Sequence, residues 1–293
     1  IKAGSLQAGY IRDPAVVAQA KKDGMGSVLM PAIAGNIINM NSGAPIACKG
    51  GAPAPLCTGK PDGNIPATAA TADKNVRLAV AAAVDPKVIN DRVYQGAGQP
   101  NSAPFANSPW DPKVDGPKFD LTEAKRLVGV AKAAGWNGKI RLLSGTDPVG
   151  LAWGEAVRLQ LVAAGMDVEL TNKPTADIVN QVIVAKDYDL ATWAYGMLDE
   201  FPANYVQLAG TFSPPSGRYG YSTPEMVAAV DKMRTASSQA DRVAAVKAVS
   251  DVWIKDMPAH VISAIPQALI TTPKLQGAQR TAGSNVLFDK AFL

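Results

Sequence analysis

Between Lys139 and Gly196, strand-like runs alternate with helical periodicity, and this alternation constrains the fold more than any other feature of the chain. KIRLLSG reads as a strand, DPVGLAWGEAVRLQLVAAG as a helix stopped at Gly165, and MDVELTN as a second strand. TADIVNQVIVAK then reads as a helix and YDLATWAYG as a third strand. Parallel strands need long, usually helical crossovers, so a β-α-β-α-β order predicts a parallel sheet covered on both faces. Open sheets of this kind bind ligands outside the carboxyl ends of their strands. The end of the third strand is therefore the first place to look for a site.

The flanking sequence fits the same class. NVRLAVAAAVDPKVINDRVYQGAG reads as a helix broken at Asp85-Pro86, and LTEAKRLVGVAKAAGW as an amphipathic helix with Thr122 as N-cap and Gly135 as its stop. STPEMVAAVDKMRTAS and SQADRVAAVKAVSDVWIKDM are two more helices, the second ending before Pro258 and the strand-like HVISAI. Residues 41–74 are rich in Gly, Pro, Ala and Thr and read as a long surface excursion. Within it, Cys48 and Cys57 match no common zinc spacing, and the single histidine, His260, leaves no second ligand pair. A short disulfide-closed loop, formed in an oxidising compartment, is preferred over two free thiols.

Several function classes fall away. The net charge is +4, but the basic residues are scattered rather than striped with aromatics, which argues against nucleic acid. No apolar run approaches the roughly 20 residues a membrane-spanning helix needs. One histidine and two cysteines leave no nucleophile-base pair and no metal set, so no catalytic residue, metal or cofactor is expected. His260 lies in the apolar run PAHVISAI and reads as a packed residue. Gly145 in LLSGTDPVG sits in a turn like those that hold phosphate, although capping of the next helix by Thr146 or Asp147 explains it more simply. What remains is YDLATWAYGMLDEFP. Its Trp193, Tyr195 and Met197 are suited to a partly apolar pocket, and Asp199 and Glu200 to holding a cation, although adjacent acids on a loop are as often merely solvated.

Four stretches, in order, carry a resemblance to a known family. They are NVRLAVAAAVDPKVINDRVYQGAGQP (with Val76, Arg77, Ala79, Ala83, Asp85, Ile89 and Gly96), FDLTEAKRLVGVAKAAGW, YDLATWAYG through Pro202, and the segment from Tyr221 to Ile262. They resemble the solute-binding proteins of the peptide/nickel class, the oligopeptide- and dipeptide-binding family of ATP-driven importers. LQAGYIR is similar to a strand motif that precedes this region in the family.

The resemblance implies an α/β, periplasmic-binding-protein type II-like lobe with a mixed, largely parallel sheet covered by helices. It also implies an incomplete part of a second lobe, because the family's long N-terminal segments have no counterpart here. Residues 1–74 would be connector and part of the first lobe, 75–265 a complete ligand-binding lobe, and 266–293 a return segment. Such a protein is not an enzyme. It binds a peptide-like or other small cationic or amphipathic solute by hinge closure, delivers it to an ABC-importer permease, and is monomeric. It lies outside the cytoplasm, lipid-anchored or periplasmic. In the family, the loop after the third strand gives an acid to the ammonium end of a peptide. Here Leu198 or Glu200 takes that place, depending on how Pro202 is aligned, with Asp199 between them. Trp193 and Tyr195 would be apolar wall, and Ser144, Thr146 and Asp147 second-rank candidates at the preceding strand. The alternative is an envelope structural or interaction module that keeps the fold without a transported ligand.

Overall fold

The computed structural model describes residues 1, 3–29, 34–52, 54, 56–196, 200–213, 217, 219–265, 268–281 and 285–293. In chain order the first strands are β1 (Ala8–Ile11), β2 (Gly26–Leu29), β3 (Ala34–Met40), β4 (Ile46–Cys48), β5 (Gly63–Ile65) and β6 (Gln99–Pro100). They are followed by β7 (Lys139–Gly145), β8 (Asp167–Lys173), β9 (Leu190–Gly196), β10 (Ala259–Ile265), β11 (Ala268–Thr271), β12 (Gln279–Arg280) and β13 (Val286–Leu287). The helices are α1 (Pro14–Lys22), α2 (Lys74–Ala83), α3 (Pro86–Tyr94), α4 (Leu121–Ala133) and α5 (Pro148–Ala163). After them come α6 (Thr175–Val179), α7 (Phe201–Phe212), α8 (Pro224–Thr235) and α9 (Gln239–Asp256).

The main layer is a six-stranded mixed sheet of order β6-β10-β3-β9-β7-β8. The predicted β-α-β-α-β unit forms its parallel part, with β7 flanked by β8 and β9. The other half is antiparallel, because β3 enters between β10 and β9 and runs against both. Successive side chains of a strand face opposite ways. Accordingly Ile37 packs under α7, α8 and α9, while Ile38 and Met40 pack on the other face with α2, α4 and α5. Both faces of the sheet are therefore covered by helices.

Three local expectations are corrected. The N-cap of α4 is Asp120, whose Oδ1 accepts the Glu123 N–H at 2.9 Å, and Thr122 is the second residue of the helix. The helix expected over TADIVNQVIVAK is α6 continued as a π-helical turn over Asn180–Val184. The stretch after β9, expected as loop, contains α7: Pro202 sits in its first turn, where no N–H is needed, and Phe201, Asn204, Leu208, Thr211 and Phe212 form its buried face.

A second, smaller unit holds the N-terminal segment. Its antiparallel sheet has the order β1-β11-β2 and carries α1, with Val17, Ala20, Ala268 and Ile270 as its core. The chain passes between the two sheets twice, from β2 to β3 and from β10 to β11. In the excursion, β4 pairs with β5, and a disulfide joins Cys48 to Cys57 with Cα atoms 5.4 Å apart.

Candidate functional site

At the carboxyl end of β7, the chain turns directly into α5. Asp147 caps the helix, its Oδ1 accepting the N–H groups of Val149 at 3.1 Å and Gly150 at 3.0 Å. Gly150 rests on the strand end, and a Cβ there would stand 2.6 Å from the Gly145 Cα, so only glycine allows this approach. Beneath them the Ser144 hydroxyl donates to the Gly150 carbonyl at 2.6 Å and shares a hydrogen bond with Thr192 Oγ1 at 2.9 Å. This small network locks β7, α5 and β9 together. Asp147→Ala is expected to cost about 1 kcal/mol of stability, the usual worth of an N-cap, measured by urea unfolding. Asp147→Asn keeps a capping oxygen and is expected to cost much less.

Outside these strand ends lies a cavity of about 570 Å³. The six-stranded sheet and its helices give it Asn36, Tyr94, Asp147, Trp153 and Trp193, and the small unit closes it with Arg12 and Asp13. Asp13 also caps a helix, its Oδ1 accepting the Ala15 N–H at 2.8 Å, while the Arg12 guanidinium stands over the Tyr10 ring, 5.8 Å from its centroid. The buried Tyr94 hydroxyl accepts a hydrogen bond from Asn36 Nδ2 at 2.7 Å. Burial pushes the Tyr94 phenol up to about 12; the Asn36 bond works against this, and the carboxylates of Asp13 and Asp147 add to it. Two acids from the two units thus act on one phenol in the cavity wall. Both tryptophans, Ile178 and Val179 make most of the remaining wall apolar, with Thr175 and Thr192 as its other polar residues. A partly dry cavity with a few polar groups suits a small amphipathic ligand.

The residues singled out from the sequence are distributed differently. Trp193 lines the cavity, half-buried, with its ring edge-on to Tyr219 at 6.4 Å between centroids. Ser144 is buried in the network under the cavity, and Thr146 is exposed on the turn; neither is part of the lining. Tyr195 belongs to the core. Its ring packs against Phe105 at 5.8 Å and Trp253 at 5.6 Å, and its hydroxyl accepts the Phe105 N–H at 3.2 Å. Glu200 is exposed just before α7, away from the cavity lining, and Met197 and Asp199 lie outside the described residues. Arg12, Asp13, Asn36, Tyr94 and Trp153 were not anticipated. Only LQAGYIR gave a signal, a charge closing a recognisable strand motif. Among the described residues no group of His, Cys, Asp or Glu is arranged to hold a metal ion. No helix among them is long and apolar enough to cross a membrane.

Comparison with known proteins agrees with this architecture. A dipeptide binding protein from Pseudoalteromonas sp. SM9913, solved with Met-Leu, superposes with a TM-score of 0.74 at 15% identity over 99% of this chain and 54% of its own. NikA from Brucella suis, solved with Fe(III)-EDTA, gives 0.72 at 19% identity over 99% and 58%. HbpA2 from Haemophilus parasuis gives 0.72 at 18% identity over 100% and 54%. At these identities the likeness is one of fold, that of the type II periplasmic-binding proteins, and the chain spans little more than half of each neighbour. No curated protein matches the chain in sequence. Residues 1–215 match the family model described as "Bacterial extracellular solute-binding proteins, family 5 Middle". The chain belongs to the bacterial extracellular solute-binding proteins of family 5, a family of binding proteins and not of enzymes.

Proposed function

We propose that the chain is part of the solute-binding component of an ATP-driven importer, and that the cavity between its two sheets is half of the solute cleft. The observation that carries this reading is the cavity's position, outside the carboxyl ends of β7 and β9 with both units contributing to its wall. The solute is peptide-like, or another small cationic and amphipathic molecule. Trp153 and Trp193 form its apolar wall, and Asp13 and Asp147 take over the anchoring role expected of Asp199 or Glu200. In this division, residues 75–265 together with β3 make one lobe, and β1, α1, β2 and β11 belong to the other. The lobes close on the solute by hinge motion. The permease of the importer is the partner, and the protein works outside the cytoplasm, lipid-anchored or free.

Calorimetric titration with Met-Leu and with trialanine tests the reading, in this chain and in one that carries a complete partner lobe. Binding is expected, and Trp193→Ala is expected to weaken it roughly 10- to 100-fold, as for a central aromatic contact. Failure of every peptide to bind the two-lobed form would leave an envelope module that transports nothing.

A further inference from the structure

At the end of the six-stranded sheet away from the cleft, β3 runs out at Met40, paired with Leu190, the first residue of β9. A second, smaller cavity of about 200 Å³ opens there. The start of the excursion gives it Ser42, the turn before α8 gives it Ser222 and Thr223, and α2 and α9 give it Arg77 and Asp256. Arg77 is the group that the rest of the fold leaves incomplete. A guanidinium has five N–H donors and no acceptor. Nη1 donates to the carbonyls of Thr71 and Ala72 and Nε to that of Asp256, so three donors are used, all on neutral oxygens. Nη2 has no hydrogen bond among the described residues, and it is not sealed as the unpaired Trp153 Nε1 is: Arg77, only 6% exposed, forms part of the cavity wall.

The charge of this guanidinium is also unmatched at close range. Asp256, the acid of the same wall, is engaged elsewhere, its Oδ2 accepting the Tyr221 hydroxyl at 2.7 Å and its Oδ1 facing Lys74 Nζ at 3.6 Å. Buried charges are as a rule paired. Hydroxyl donors stand nearby with capacity to spare: Ser222 has no side-chain hydrogen bond among the described residues, and Ser42 Oγ reaches only the Met40 carbonyl, at 3.4 Å. We propose that this cavity binds one small oxyanion, a phosphate-type or carboxylate group, through the free N–H groups of Arg77 Nη2 and the hydroxyls of Ser42 and Ser222. Charge-assisted N–H···O bonds of this kind are the strong ones, and the guanidinium repels cations from the same place. The volume suits a single inorganic anion or one side-chain carboxylate rather than a peptide. Once bound, the anion would join the end of β3, α2, α9 and the turn before α8, so occupancy stabilises the fold. The site is independent of the solute cleft, which lies beyond the opposite ends of the strands.

Melting temperatures in chloride, phosphate and acetate, each added at about 10 mM and equal ionic strength, test the assignment. At this concentration a site of roughly millimolar affinity is expected to raise the melting temperature by about 2–4 °C over chloride. Ser222→Asp sets the chain's own carboxylate against the guanidinium and is expected to abolish that rise. In the ¹⁵N-labelled parent, the amide resonances of Ser42, Ser222 and Thr223 are expected to shift along a saturable curve, while those of Trp153 and Trp193 in the cleft stay in place. A rise with phosphate assigns the site to a free inorganic anion. A rise with acetate alone assigns it to a carboxylate, as on a partner's side chain. An equal rise in Ser222→Asp, or shifts that avoid Ser42 and Ser222, would place the anion elsewhere and overturn the proposal. So would melting temperatures in both anions no higher than in chloride.

Discussion

Arg77→Met is expected to lower the folding stability by about 3–5 kcal/mol, the cost of breaking a buried charged network at one partner. Arg77 is 6% exposed. Its Nη1 donates to the carbonyls of Thr71 at 2.7 Å and Ala72 at 3.0 Å, and its Nε donates to the Asp256 carbonyl at 2.9 Å. The guanidinium therefore ties the turn before α2 to the last residue of α9, two segments that local sequence does not bring together. Burial disfavours the charged form, and the nearby carboxylates of Asp256 and Asp73 work against that penalty. Methionine fills a similar volume and leaves three carbonyls without this donor. Urea unfolding followed by circular dichroism gives the difference directly. A loss below about 1 kcal/mol, the range of a solvent-exposed pair, would mean the network is dispensable.

The second large effect is one of pH. His260 is fully buried in β10, and its Nε2 lies 3.2 Å from the Val84 carbonyl. The ring therefore donates from Nε2, and Nδ1 is left without a partner among the described residues. Burial pulls the imidazole down to about 4 from its ordinary 6.5, and the Val84 bond offsets only part of this. Because the folded value is depressed, the folded and unfolded chains are both neutral here above pH 6.5 and the full stability is present. As pH falls from 6.5 to 4 the unfolded chain takes up a proton that the folded chain refuses. Stability drops through that window, by about 3 kcal/mol in total, and this contribution levels off below it. Unfolding free energies at pH 7 and pH 4.5 are compared for the parent and for His260→Gln. The parent is expected to lose more of its stability than the variant, whose own baseline cancels in the comparison. Equal losses in both proteins would mean that the ring is already protonated in the fold.

The parallel half of the sheet was legible because each element between Lys139 and Gly196 carries its own boundary, such as Gly165 after α5 and Asp147 before it. β3 was not legible as a central strand. Its Ile37 and Ile38 face two different cores and stand between Asn36 and Asn39, so no apolar alternation shows, and its partners β9 and β10 lie far along the chain. The same limit applies to the site. Trp193 was found because it lies toward the carboxyl end of β9, but Tyr195, two residues on in the same strand, looks identical in sequence and is held in the core by Phe105 and Trp253. Trp153 falls at a helical spacing from Gly150, Val157 and Leu161 and reads as another core residue. That its N–H has no partner among the described residues becomes visible only in three dimensions. Arg77 stood in the resemblance as a motif residue, and its bonds give it a structural role. The acids after β9 drew attention by adjacency, whereas Asp147 ranked second because capping explained it, and Asp13 was not singled out.

The location of the anchor is the point on which the account depends, and one comparison of affinities tests it. Met-Leu is titrated calorimetrically into the two-lobed protein, its Asp13→Asn/Asp147→Asn form and its Glu200→Ala form. Asparagine preserves both helix caps, so the double variant removes charge without removing structure. The account predicts roughly tenfold or greater weakening in the double variant, with Glu200→Ala binding like the parent. Loss of binding in Glu200→Ala, with the double variant unaffected, would return the anchor to the loop after β9 and contradict the cavity as the site.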